Sequence, residues 1–132
     1  MPGQHCVRKI KAIAIASVMA FISFFTTAAS AADCDRACLA NMITLYTDAL
    51  VAHDPSMLPL ADKVKVTEDS RAVQLGEGLW QTVTAKHGFR QDFLDTAKQV
   101  AASHVVFLEG ENQVLMSVLL HVTDMKIAGI ET

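Results

Sequence analysis

The feature that most constrains this chain is a change of hydrophobic period partway along it. From Asp35 to His53 the apolar residues Leu39, Met42, Ile43, Tyr46, Ala49 and Leu50 fall three and four apart, the spacing of one helix face. From Phe89 onward the pattern alternates with period two, in runs Phe89 to Asp95, Val100 to Leu108, Gln113 to Thr123 and Lys126 to Thr132, as half-buried strands do. A helix followed by a meander of long strands predicts an α+β domain, with N-terminal helices packed on one face of a curved, mostly antiparallel sheet.

The chain before this pattern has the three parts of an export signal. Arg8, Lys9 and Lys11 form a basic segment, Ala12 to Phe25 an apolar run, and Thr26 to Ala32 a stretch of small residues. That run is too short for a membrane anchor. Residues 1–31 therefore read as a signal peptide, with cleavage after Ala31 or one residue later, and 32–132 as the working domain, secreted or periplasmic. The signal carries much of the 52% hydrophobic content, so the remainder is ordinary globular material with one core. With Arg8, Lys9 and Lys11 gone, eight basic residues stand against all 14 acidic ones, a net charge of −6. That balance disfavours nucleic acid and anionic lipid as partners.

Cys6 leaves with the signal, and Cys34 and Cys38 remain for an oxidising compartment, where a disulfide between them is expected. The C-x-x-x-C spacing is neither a redox pair nor a haem motif. On a regular helix, residues four apart hold their side chains slightly too far apart, so the bridge is expected to distort the first turn.

The segments between helix and meander are punctuated. Asp54 is placed to cap a turn or short helix over Ser56 to Leu60 with Pro55 at its first position. Val64 to Thr67 and Ala72 to Leu75 read as a small strand pair across Glu68-Asp69-Ser70. Gly76-Glu77-Gly78 then leads into a short helix carrying Leu79, Trp80 and Val83. In the meander, Glu109-Gly110-Glu111-Asn112 and Thr123-Asp124-Met125-Lys126 are the tight connections, and Asp124-Met125 lacks the glycine such a turn favours.

The order of elements, with Ala52-His53-Asp54-Pro55, Leu75-Gly76-Glu77-Gly78-Leu79-Trp80 and Lys126-Ile127-Ala128-Gly129-Ile130-Glu131, resembles the nuclear transport factor 2-like superfamily, and within it the secreted SnoaL-like domains. The resemblance implies a cone-like α+β barrel enclosing an apolar pocket, often as a homodimer. Its activities range from isomerase and cyclase to hydratase and plain binding, so the fold alone names no function. Members usually continue the final strand past the equivalent of Thr132, so the pocket or the sheet edge is expected to lack part of it.

A hairpin closed at Gly110-Glu111 puts Val106 opposite Leu115 and His104 opposite Ser117 on one face, with Val105 opposite Met116 and Phe107 opposite Val114 on the other. The face holding Val105, Phe107, Val114, Met116, Val118 and Val122 is uniformly apolar and should turn to the helices. The other carries Val106, Leu108, Leu115 and Leu119 among few polar groups and is expected to pair two copies.

The candidates for chemistry are few. The most economical pairing sets Arg90 and Asp92 beside His104, as a proton-transfer pair, although a solvated charge cluster is the commoner meaning of such a group. Asp95 alternates with Phe89 and Phe93 and is a candidate pocket base, as in isomerases of the resembling superfamily, although an aspartate that starts a loop is the commoner case. Glu131 is a further candidate pocket carboxylate, equally explained as a strand end. Tyr46, Trp80 and Met116 are the expected wall of an apolar site, though each also suits a plain core. His53, His87, His104 and His121 lack metal-binding spacing, so no metal is expected, and no phosphate or dinucleotide motif implies a cofactor. Two readings remain. One is a domain binding a small apolar or aromatic molecule, with a cofactorless isomerase, lyase or hydratase step through Asp92, Asp95 or His104. The other is a noncatalytic binding or dimeric interaction module.

Overall fold

A computed structural model describes residues 32–132; the expected signal peptide, residues 1–31, and Cys6 lie outside the described residues. Helix α1 spans Arg36–Ala52. Asp35 caps it, its carboxylate accepting from the Cys38 amide at 2.8 Å, and satisfies one of the helix's orphan donors. His53 closes it in the left-handed region at φ 55°, its amide returning to Ala49 and Leu50, which satisfies the last carbonyls. The buried face is Leu39, Met42, Ile43, Tyr46, Ala49 and Leu50, with Thr47 beside it.

Cys34 and Cys38 stand at disulfide distance, their Cα atoms 5.2 Å apart. The expected distortion of the first turn is absent. Cys34 lies before the helix, and the extended backbone of the Asp35 cap, φ −73° and ψ 179°, lets it reach Cys38 from outside the first turn.

After α1, Asp54 caps a single 3₁₀ turn over Pro55–Met57. Strand β1, Leu60–Glu68, turns through Asp69 and Ser70, both at positive φ, into a two-residue β2, Arg71–Ala72. The second strand is shorter than its apolar run: the Val73 amide still bonds the Val66 carbonyl at 3.2 Å, and Gln74 and Leu75 leave the sheet for the turn at Gly76. The short helix α2 is Leu79–Thr82. Then follow β3, Ala85–Asp95, β4, Val100–Glu109, β5, Asn112–Thr123, and β6, Lys126–Glu131.

The six strands form one curved, mixed sheet in the order β2-β1-β6-β5-β4-β3. The meander β3 to β6 is antiparallel, and β1 joins β6 in parallel. The β4–β5 register is the one the Gly110 turn implies: Val106 faces Leu115, His104 faces Ser117 and Val105 faces Met116. Ala101, Val105 and Phe107 of β4, Met116, Val118, Leu120 and Val122 of β5, and Ile127 and Ile130 of β6 are buried with the apolar face of α1. Among the described residues no helix is long and apolar enough to cross a membrane.

The pairing of β3 departs from expectation. Lys86 faces Phe107 but Arg90 faces Val105, so three residues around Gly88, itself at φ 68°, stand against one. Beyond this bulge Gln91 faces His104 and Asp92 faces Ser103. The bulge leaves Lys86 and Arg90 on one face, opposite Phe107 and Val105. It is against the expected pairing beside His104 that the register differs by one residue, which exchanges faces, and Arg90 and Asp92 point to α1 rather than to His104.

Candidate functional site

Three elements converge at the end of the sheet where β1 turns. Tyr46 comes from the middle of α1 and Trp80 from α2, which His53 ties to α1 by a contact of its Nδ1 with the Trp80 carbonyl. The two rings meet edge to face, centroids 5.6 Å apart, a favoured aromatic geometry. Met116 of β5 closes over the same space. The structure thus brings together the three expected wall residues, but it packs them shut. All three are buried, and the gap they border holds about 10 Å³, room for one water at most. Burial pushes the Tyr46 hydroxyl well above its ordinary pKa; contact with Trp80 offsets this in part and the Glu68 charge adds to it.

The open space lies one layer out. A cleft of about 420 Å³ shares Glu68, Leu79, Met116 and Thr132 with that closed gap and extends along Val114, Leu115 and Ser117 to Asp69. It lies beside the first half of β5, where among the described residues β5 pairs with β4 alone, its pairing with β6 covering Leu119 to Thr123. Its inner wall is apolar, from Leu79, Val114 and Met116, and its rim is acidic, from Glu68 and Asp69. Gly78 stands against the Glu68 carboxylate so closely that a β-carbon there would collide with it.

The acid–base candidates lie elsewhere. Arg90 holds Asp92 with two nitrogens, Nε to Oδ1 at 2.8 Å and Nη2 to Oδ2 at 2.7 Å, and the Ser103 hydroxyl donates to the same carboxylate at 2.8 Å. The Arg90 guanidinium holds the Asp92 carboxyl below the usual carboxylate range, with desolvation opposing and Ser103 assisting. Asp95 starts the loop to β4, its Oδ1 accepting from the amides of Ala97 and Lys98, each at 3.0 Å. His104 lies on the outer face against Phe93, ring centroids 5.5 Å apart. Glu131 is also on that face, paired with His121 at 3.0 Å. None of the four lines the cleft. Among the described residues no three His, Cys, Asp or Glu side chains gather as metal ligands.

The sequence reading missed Glu68, Leu79 and Ser117 as lining residues. Glu68 reads locally as the start of a polar turn, and only the parallel pairing of β1 with β6 carries it beside β5. No local signal announces a parallel partner some 60 residues away.

Fold and site together define a class: a helix-covered curved sheet of α+β type with an acidic-rimmed cleft at one end. No family model matches the chain, and no curated protein matches it. Among solved structures it is similar to the crystal structure of a de novo designed protein with a curved β-sheet, at a TM-score of 0.59 and 14% identity, covering 74% of this chain and 84% of the designed one. The likeness is one of fold.

Proposed function

We propose that this is an exported, noncatalytic binding module, and that its ligand places an apolar group in the cleft beside Leu79 and Met116. In this reading residues 1–31 are the export signal, the bridge Cys34–Cys38 suits an oxidising compartment, and α1 on the curved sheet is a cone of the nuclear transport factor 2-like kind whose interior is filled. One observation carries the choice of site: the space between Tyr46, Trp80 and Met116 is closed at about 10 Å³, while the adjoining cleft is open at about 420 Å³, within the size range of small-molecule sites. Binding is favoured over an isomerase, lyase or hydratase step because the carboxylate of Asp92 is engaged by Arg90 and Ser103, Asp95 caps a loop and His104, which borders a neighbouring groove beyond Ser117, does not line the cleft.

A screen of small apolar and aromatic compounds by melting temperature tests this. A compound at a hundred times its Kd stabilises by about 2.7 kcal/mol, a rise of several degrees for a domain of this size. Ser117→Trp, at an exposed position of the rim, should abolish that rise. If no compound raises the melting temperature, or if Ser117→Trp leaves the rise intact, the cleft is not the site.

A homodimer through the outer sheet face is a second element of the proposal, favoured by Phe89, Phe93 and Leu115, exposed by 49%, 48% and 63%. Apolar exposure of that kind on one face usually marks an interface. Sedimentation should show a dimer that Phe93→Glu dissociates; a wild-type monomer at high concentration overturns it.

A further inference from the structure

The outermost strand β3 has an edge that no strand covers among the described residues, with β4 and β5 between it and β6. Which of its backbone groups face outwards follows from the turn at Gly110. Glu109 and Asn112 flank that two-residue turn and so bond each other. Along β4 every second residue from Glu109 therefore bonds β5. The residues between, His104 and Ala102 among them, bond their partners on β3, Gln91 and Phe93. The N–H and C=O of Arg90, Asp92 and Leu94 then turn out of the sheet. Two contacts agree with this: the Gln91 carbonyl accepts from the Ser103 hydroxyl of β4 at 3.1 Å, while the Leu94 carbonyl accepts from the Arg36 guanidinium of α1 at 3.3 Å.

An open edge is a template for another strand, and the side chains of this one are complementary to themselves. Two copies related by a two-fold axis run antiparallel, and outward groups must meet outward groups, so the axis passes through the strand at a residue such as Arg90, Gln91 or Asp92. At Arg90 it opposes two guanidiniums and at Asp92 two carboxylates, both disfavoured. At Gln91 every opposed pair is compatible. Arg90 faces Asp92 of the second copy on the inner side, Phe89 faces Phe93 on the outer side, and the two Gln91 amides meet at the centre. Phe89 and Phe93 are 49% and 48% exposed, and aromatic pairs across neighbouring strands stabilise a sheet. Above this edge α1 carries Ala40 and Thr44, which the Arg90 guanidinium contacts, and their short side chains leave room for a second helix. Bulges and charges commonly blunt an edge; here the bulge around Gly88 lies outside the matched stretch, and both charges within it meet their opposites.

We propose that β3 is a self-recognition edge: two copies of this chain join their β3 strands antiparallel, Gln91 opposite Gln91, merging their sheets into one with both α1 helices on the same face. Main-chain bonds supply the affinity and the alternating side chains fix the register. The inference is independent of the cleft. It also differs from a dimer that stacks outer faces, because Leu115, 63% exposed on β5, is covered by stacking and stays free when edges join. One strand pair with its aromatic side chains is a small interface, so the pairing belongs to high protein concentration.

The test follows the oxidised, ¹⁵N-labelled protein over a range of concentration. Sedimentation should show a dimer, and amide exchange at Arg90 and Asp92 should slow as concentration rises, while Gln91 and Phe93, which already bond β4, change little. Gln91→Cys should form a disulfide between copies faster than Thr123→Cys, exposed on β5 away from the edge. A facing pair that shares no backbone bonds stands about 4.5 Å apart, within disulfide reach. Arg90→Asp and Asp92→Arg should each weaken self-pairing about tenfold, as two facing pairs turn from attractive to repulsive. The two variants mixed should pair with each other, an acidic edge meeting a basic one. Leu115→Glu should leave the wild-type dimer intact. A monomer at high concentration, equal crosslinking at both cysteines, slowing without the alternation, or a mixture that pairs no better than either variant alone overturns the edge pairing. A dimer that Leu115→Glu dissociates, with the Arg90 and Asp92 amides unchanged, also overturns it and leaves the stacking of outer faces standing.

Discussion

Arg90 and Asp92, two residues apart on β3, form a bidentate pair turned towards α1, where the same guanidinium donates to the Ala40 carbonyl at 3.0 Å and to the Thr44 hydroxyl at 2.9 Å. The pair clamps β3, the outermost strand on its side of the sheet, to the helix. Its role in the fold is therefore attachment, and removing it should loosen that side.

Asp92→Asn should lower stability by about 1 to 2 kcal/mol at neutral pH, the scale of charge-assisted hydrogen bonds that are partly exposed. The Asp92 pKa is lowered in the folded state, by Arg90 above all. Its contribution is thus fully present above the unfolded aspartate value near 4 and is lost as pH falls through the lower folded value. Urea unfolding of both proteins across pH 2 to 7 checks this. The gap between them should narrow in acid, and a gap that is constant with pH would contradict the ion pair.

Tyr46 is the one tyrosine in the chain, so its ionisation can be followed by ultraviolet absorbance without overlap. Its pKa is raised by burial first, which favours the neutral phenol in the folded state. The folded protein should show no tyrosinate as pH passes about 10, the ordinary tyrosine value. Stability should be undiminished below that pH and fall above it, because only the unfolded chain ionises there. Normal titration at an intact near-ultraviolet dichroism spectrum would mean that the Tyr46 hydroxyl is wet.

The β5–β6 turn is strained by its residues. Asp124 and Met125 both take the left-handed region, at φ 50° and 58°, where a side chain costs about 1 to 2 kcal/mol. Met125 is 48% exposed, so little packing is lost with it. Met125→Gly should raise stability by about 0.5 to 1 kcal/mol, the unfolded chain's added freedom offsetting part of the relief. Thermal unfolding measures it; a variant less stable than wild type would show that the Met125 side chain matters more than its backbone.

The start of α1 is held twice. The disulfide-distance pair Cys34 and Cys38 ties its first turn, and the Gln99 side chain brackets Cys34, its Oε1 accepting from the Cys34 amide at 2.6 Å and its Nε2 donating to the Cys34 carbonyl at 3.0 Å. Alkylation of an unfolded, unreduced chain of residues 32–132 should label no thiol. Reduction should cost less than the roughly 3 kcal/mol of a longer loop, and Gln99→Ala about 1 kcal/mol more. Two labelled thiols would refute the bridge.

How much of this was legible without coordinates differs by element. The helical face from Leu39 to Leu50 and the β4–β5 register were both readable, because each rests on local rules: a period of 3.6 for the one, a two-residue turn at Gly110 for the other. The side of β3 that carries Asp92 was not readable. The 96–99 connection sets it by placing Asp95 opposite Val100 and so Asp92 opposite Ser103, and alternation alone does not reveal where such a connection closes.

The sequence by itself determined the class of fold, the apolar face of the sheet, the Asp54 cap of the short turn after α1 and the nearness of Cys34 to Cys38, since all of these follow from spacing along a few neighbouring residues. It also grouped Tyr46, Trp80 and Met116. Only the tertiary structure decided that these three fill their space rather than line it, that His104 and Asp92 stand on opposite faces, and that the open cleft lies beside Glu68 and Ser117. The reason is physical. Whether large side chains leave a void depends on how elements distant in sequence meet, and the parallel seating of β6 on β1 is settled by burial over the whole sheet rather than by any local pattern.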